Sequence, residues 1–403
     1  MEIMSKYIKL SSIILFIAVI MTGFGIYKIQ AKTPQPDMKI VTAEGMPKYI
    51  GPIELYGFVA DSNGGFNYPT VELDNGNFTY LEERSFLKRL DFNYNPMIDE
   101  LIINYRSFMR GKSPQPKQFA ETAQHVVYVG SESDVHWSTS LSNQMTISVL
   151  DKETKEEKTF SVKLEDSSSY NDIRAVYTDY PSLTLLVSTD ANSDSIQTHA
   201  YTFDLENPKD TLTEATNLTK EIGTNDYLYV GETYDKTERY VTLQTAKENI
   251  DSMYGYSEEI TGYYAYDTMT QEVIKLDGFD EGTRLFTDND TLYVGQKTNS
   301  GIELYELNQD DQKKTLLGEI TLSIPDAQEE MSYYGTFNQN MSILNGKLYA
   351  YGYTEDGSKP ALQISDINTQ DALFKGTIEL KDAKKNDSTS VDIIEYRLNP
   401  LID

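Results

Sequence analysis

The chain has 403 residues, 39% of them hydrophobic, with 35 Lys and Arg against 63 Asp and Glu for a net charge of −28. A chain of this length and apolar content buries a sizeable core, and its negative field repels nucleic acid and anionic lipid headgroups. There is no cysteine, which excludes disulfides, thiolate metal sites, a cysteine nucleophile and any lipid anchor that needs a thiol.

Residues 10–27 carry no charge and lie between Lys9 and Lys28. At about 1.5 Å per residue a helix over this stretch just crosses the ~30 Å hydrocarbon core of a bilayer. The run is longer than the apolar part of a signal peptide, and Ile29-Gln30-Ala31 is a poor cleavage site. The segment is therefore read as a single-pass transmembrane anchor. Residues 1–9 are then a cytoplasmic tail, because a short tail ahead of a large translocated domain stays inside. Residues 28–37, with Pro34 and Pro36, form a short stiff spacer. Residues 38–403 form the extracytoplasmic domain, an arrangement that suits a bacterial surface protein.

Residues 38–43 alternate as a strand. Between positions 81 and 118 the pattern changes. Asn95 and Pro96 open a stretch with Ile98, Leu101, Ile102, Tyr105, Phe108 and Met109 at helical spacing, and Gly111 closes it. Asn as N-cap, Pro at the first helical position and early acids predict one amphipathic helix over about 95–111. Positive charge gathers here, with Arg84, Lys88, Arg89, Arg106, Arg110, Lys112 and Lys117 against Asp91, Asp99 and Glu100. The apolar stripe is read as a core face. Arg84, Lys88, Arg89, Arg106 and Arg110 are candidates for a surface that docks a partner or an anionic polymer.

From about 120 to 380 a unit recurs. Short apolar strands ending near glycine occupy residues 126–130, 227–231, 292–295 and 348–352, with 183–187 as a fifth that lacks the glycine. Each leads to an alternating strand that runs into an acid before a turn: Asp151, Asp204, Asp267, Glu306 and Asp366. Several of these turns carry a threonine (Thr154, Thr270, Thr369) and open into a further strand. Five units in this span are roughly 50 residues each, the size of a four-stranded propeller blade.

The phrase from Tyr264 to Thr270, Tyr-Ala-Tyr-Asp-Thr-Met-Thr, resembles the outer hairpin of blades in quinoprotein and kelch-like β-propellers. The resemblance implies an all-β fold, a β-propeller of six or seven blades. Residues 391–398 and 38–43 are placed so that one end completes a blade begun at the other, removing exposed sheet edges. A single Trp137 excludes a tryptophan docked in every blade, and no cofactor carries over. Tandem β-sandwiches are the alternative architecture.

No catalytic, cofactor or metal residue is assigned. His125, His136 and His199 fall in different units and are read as strand or loop residues. Zinc-protease, nucleophile-elbow, Walker and dinucleotide motifs are absent. Asp190, Asn192 and Asp194 have calcium-loop spacing, but Ser195 replaces the turn glycine and Tyr201 the closing glutamate, so a hairpin turn is expected. Residues 74–77 and 288–290 are also read as turns. Among 30 tyrosines, Tyr254 and Tyr256 lie in a polar stretch, 247–261, that is the best candidate for a contact loop. The expected function is a membrane-tethered extracytoplasmic binding or sensing module that engages a protein partner at the membrane surface. The alternatives are a glycan-active extracytoplasmic enzyme and a non-catalytic binder of cell-wall polymer.

Overall fold

The computed structural model describes residues 15–16, 19, 36–61, 69–84, 95–131, 144–164, 171–190, 196–209, 211–231, 236–251, 255–279, 282–308, 313–324, 340–381 and 389–402. Strand β1 (Met38–Gly45) precedes six four-stranded antiparallel units. The first contains β2 (Ile53–Asp61), β3 (Thr70–Asp74) and β4 (Asn77–Tyr80). Helices α1 (Pro96–Asn104) and α2 (Arg106–Met109) follow it.

The second unit is β5 (Phe119–Glu121), β6 (His125–Ser131), β7 (Gln144–Asp151) and β8 (Glu157–Leu164). The third is β9 (Asn171–Asp179), β10 (Ser182–Asp190), β11 (Ile196–Asp204) and β12 (Thr211–Asn217), followed by α3 (Leu218–Ile222). The fourth is β13 (Tyr227–Val230), β14 (Tyr240–Asp251), β15 (Gly255–Asp267) and β16 (Glu272–Leu276). The fifth is β17 (Thr283–Asp288), β18 (Thr291–Lys297), β19 (Gly301–Leu307) and β20 (Lys314–Thr321). The sixth is β21 (Met341–Leu344), β22 (Lys347–Tyr353), β23 (Pro360–Asp366) and β24 (Ala372–Leu380).

The last strand, β25 (Thr389–Leu398), returns to the first unit and pairs with β2. Its sheet order is β25-β2-β3-β4. At the same seam β1 pairs with β24 at the outer edge of the sixth unit. Each chain end thus completes or extends the sheet begun by the other. First strands of neighbouring units meet, β5 with β9 and β17 with β21, which places them around a common axis.

The chain is a six-bladed β-propeller. Each seam has its own apolar filling, with clusters joining blades 2 and 3, 3 and 4, 4 and 5, 5 and 6, and 6 and 1. The outer strands β8 and β12 also bridge in parallel, at Lys163 with Thr211 and Leu164 with Leu212.

The seam between blades 1 and 2 is filled by α1 and α2. Ile98 and Leu101 are fully buried against Phe119, Val126 and Leu150 of blade 2. On the blade 1 side the contact is polar: the Tyr56 hydroxyl donates to Asp99 at 3.0 Å, and Asn95 Nδ2 donates to Glu395 at 3.1 Å. The local signals act as expected, since Asn95 Oδ1 accepts the Ile98 amide at 3.3 Å and Pro96 occupies the first turn. The predicted single helix over 95–111 is instead two. Tyr105 leaves helical geometry at φ −131°, ψ 43°, and its ring lies under the Lys155 ammonium at 4.5 Å. The packing of Phe108 and Met109 into blade 2 overrides continuous helical propensity.

Blades repeat one outer-hairpin device. The carboxylates of Asp151, Asp204, Asp267 and Asp366 each accept backbone amides two and three residues on. This explains why the sequence unit ends in an acid followed by a turn. The expected anchor, residues 10–27, falls outside the described residues except Leu15, Phe16 and Val19, which are helical and exposed. Among the described residues no helix is long and apolar enough to cross a membrane.

Candidate functional site

Each blade runs from its first strand into its second on one face, here termed the turn face. On that face the β5–β6 and β9–β10 turns, the β13–β14 loop and the segment after β25 surround a cavity of about 420 Å³. Hydrogen bonds within turns and between distant segments set its walls. Thr122 Oγ1 accepts the amides of Gln124 at 3.2 Å and His125 at 2.9 Å. Thr178 Oγ1 donates to the Ser182 carbonyl, and the Thr178 amide donates to the Lys236 carbonyl, both at 2.8 Å. After β25, the Asn399 amide donates to the Pro52 carbonyl at 2.8 Å, while Asn399 Oδ1 accepts the Leu401 amide at 3.0 Å. The cavity is therefore largely preformed, which lowers the ordering cost of binding.

The His125 imidazole lies flat on the Tyr180 ring, with centroids 4.0 Å apart and planes 12° apart. Pro400 and Leu401 complete the apolar part, Leu401 being 45% exposed. Among the described residues two acids line the cavity and no Lys or Arg does. Glu121 is spent on a 2.6 Å ion pair with Lys152, both largely buried. Asp179 is exposed and has no ion-pair partner among the described residues.

A charged seam lies behind Glu121. Glu54 is buried and meets Arg397 at 3.1 Å and Asn399 Nδ2 at 2.7 Å. Burial nonetheless pushes its carboxyl above the usual range, against the pull of Arg397. Glu100 on α1 is pushed up to about 7, first by desolvation and then by the neighbouring Glu121 and Glu54; Arg397 and Lys152 oppose this. The seam thus holds a carboxyl that titrates near neutral pH.

A second hollow, of about 590 Å³, lies on the opposite face at the β22–β23 turn. Its polar groups serve the turn itself: Asp356 accepts from Thr354 Oγ1 at 2.5 Å and Ser358 Oγ at 2.8 Å, and Lys359 pairs with Glu379 at 2.8 Å. Among the described residues no group of His, Asp and Glu is placed to hold a metal.

Neither Arg84, Arg106 nor Arg110 lines the turn-face cavity. Arg84 bridges Glu72 and Asp99 with its side chain 12% exposed, so it fastens α1 to blade 1. Arg106 and Arg110 are exposed on α2 and just beyond it. Lys88, Arg89 and Tyr254 lie outside the described residues, as do His136 and the residues 191–195 of the expected hairpin turn. Tyr256 pairs through its backbone with Ile250 in the β14–β15 hairpin, and its side chain is outside the described residues. His199 is buried and bonds Thr189 at 3.2 Å. The sequence reading made His125 a strand residue and passed over Glu121, Asp179, Tyr180 and Leu401. Their shared position at the ends of first strands was the available signal.

No family model matches the chain, and no curated protein is similar to it in sequence. Among solved structures, TolB from Acinetobacter baumannii is similar at 13% identity and a TM-score of 0.37, over 88% of this chain and 67% of that one. The β-propeller domain of the Trilobed protease from Pyrococcus furiosus is similar at 14% identity and a TM-score of 0.32, over 81% and 83%. A lignostilbene dioxygenase from Pseudomonas brassicacearum is similar at 9% identity and a TM-score of 0.42, over 86% and 94%. The strand pairings themselves establish the blade number.

Proposed function

We propose that this protein is a membrane-tethered extracytoplasmic binding module that engages a protein partner. The observation that carries the reading is the preformed turn-face cavity, whose walls come from four blades and hold the half-buried His125–Tyr180 stack and the exposed Asp179. Rigid walls, half-buried rings and a few fixed polar groups are the features of recognition sites rather than of packed cores. The uncharged run over residues 10–27 supplies the tether, and the negative field of the domain disfavours nucleic acid and lipid headgroups as ligands.

The test is crosslinking in intact cells carrying the full chain, followed by identification of bound molecules. A specific protein adduct, lost when residues 1–31 are removed, is the expected result. Recovery of wall polymer without any protein adduct overturns the reading.

A further inference from the structure

We propose that the turn-face cavity receives an Arg- or Lys-bearing segment of the partner protein, on the face remote from the tether. This rests on the binding-module reading and adds the chemistry and placement of the contact.

Charge argues for the occupant. Among the described residues the cavity wall carries Glu121 and Asp179 and no Lys or Arg. The Glu121 charge is compensated by Lys152 behind the lining, which leaves Asp179 as the lining carboxylate presented to solvent. Asp179 is adjacent in sequence to Tyr180, whose ring carries the His125 stack. A guanidinium or ammonium entering here gains a carboxylate and aromatic surface together, the combination that favours cationic side chains over neutral ones. The net charge of −28 adds long-range attraction for a basic segment.

Topology argues for the placement. The spacer meets the domain where the Pro36 carbonyl accepts from the Tyr80 hydroxyl at 2.5 Å and the Asp37 carbonyl accepts from the Lys381 amide at 2.7 Å. Met38 there pairs with Leu380, at the far end of β24 from the turn face. Strand β1 then runs its eight residues to the turn face, about 25 Å at ~3.3 Å per residue. That distance exceeds the Debye length of about 8 Å at physiological ionic strength. Lipid headgroups next to the tether are screened from this cavity, which favours a protein segment as its occupant.

The experiment uses the full chain in detergent micelles and a fluorescent peptide of alternating Arg and Ala, with a Glu and Ala peptide as control. The Arg peptide is expected to bind. Binding should weaken about tenfold or more on Asp179→Lys, and should fall as ionic strength rises from about 0.1 M to about 1 M, which shortens the screening length from about 10 to about 3 Å. Asp179 is exposed, so the variant should keep its melting temperature. Equal binding by Asp179→Lys, or by the Glu peptide, overturns the proposal.

A photoreactive residue placed in cells at Leu401 or at Glu355 separates this inference from the reading beneath it. A protein adduct from 401 that is lost with Asp179→Lys is expected. An adduct from 355 alone overturns the turn-face site while leaving a binding module. No protein adduct from either position overturns both.

Discussion

Asp288 at the end of β17 receives the Gly346 amide of the next blade at 2.7 Å, and the same carboxylate takes the Asn345 amide at 2.8 Å. One blade back, Glu238 takes the amides of Asn289 at 2.9 Å and Asp290 at 3.1 Å. In both cases a buried acid from one blade clasps the turn of its neighbour, close to the axis. Both clasped turns place residues at positive φ, with Asn345 at 51° and Gly346 at 68°, which points the amides the same way.

Replacing Asp288 with Ala should therefore loosen the seam between blades 5 and 6. Two charge-assisted hydrogen bonds to the amides of exposed Asn345 and half-buried Gly346 are lost, for a cost of about 1–3 kcal/mol. Urea unfolding of Asp288→Ala, compared with the unsubstituted protein, measures it. Equal midpoints would show that the clasp adds nothing.

Arg84 gives a second outcome. Its guanidinium joins Glu72 to Asp99, and Asp99 also accepts from Tyr56. Removing the cation leaves two poorly solvated carboxylates side by side. Arg84→Ala should cost about 3–5 kcal/mol. The pair Arg84→Met with Asp99→Asn should recover part of the loss, read from thermal melts. A small effect of Arg84→Ala on stability with a large one on partner binding would return Arg84 to the role of a docking residue.

Glu100 fixes the sign of one pH effect. Its folded pKa, about 7, lies above the ordinary value of 4.5, so the folded state holds the proton more tightly than the unfolded chain. The stabilisation from this group is complete below about pH 4.5 and is lost as pH rises through 7. After allowance for solvent screening the change is about 1 kcal/mol. Glu100→Gln should flatten the decline in melting temperature between about pH 5 and about pH 8. An unchanged slope would place the titrating group elsewhere.

The two terminal strands should differ in weight. Strand β25 buries Val391, Tyr396 and Leu398, whereas β1 buries Met38 alone. At about 1.5–3 kcal/mol per buried large apolar side chain, loss of β25 approaches the whole stability of a typical domain, about 5–15 kcal/mol. A chain ending at residue 388 should not fold cooperatively. Replacing residues 38–45 with a Gly-Ser linker should lower the denaturation midpoint yet keep a single transition. Circular dichroism melts of both variants decide this.

Much of the fold was legible because its signals are local. Alternating strands and the Asp-x-x-Thr hairpins lie within a few residues of one another, so five repeats between positions 120 and 380 follow from pattern alone, and each became a blade. The Asn95 cap and Pro96 likewise marked the start of α1. The break at Tyr105 was not legible, since it answers to the packing of Phe108 and Met109 on a blade formed by later sequence.

The site lay beyond such reasoning for the same reason. Composition and spacing determined an acidic, all-β repeat protein with an uncharged run near its N-terminus, because strand alternation and turn chemistry act over short distances. Tertiary structure decided that blades number six, that both chain ends are exchanged across one seam, and that Arg84 is held in a bridge between Glu72 and Asp99. It also laid His125 over Tyr180 beside Leu401, residues from three blades that ring closure alone brings to one mouth.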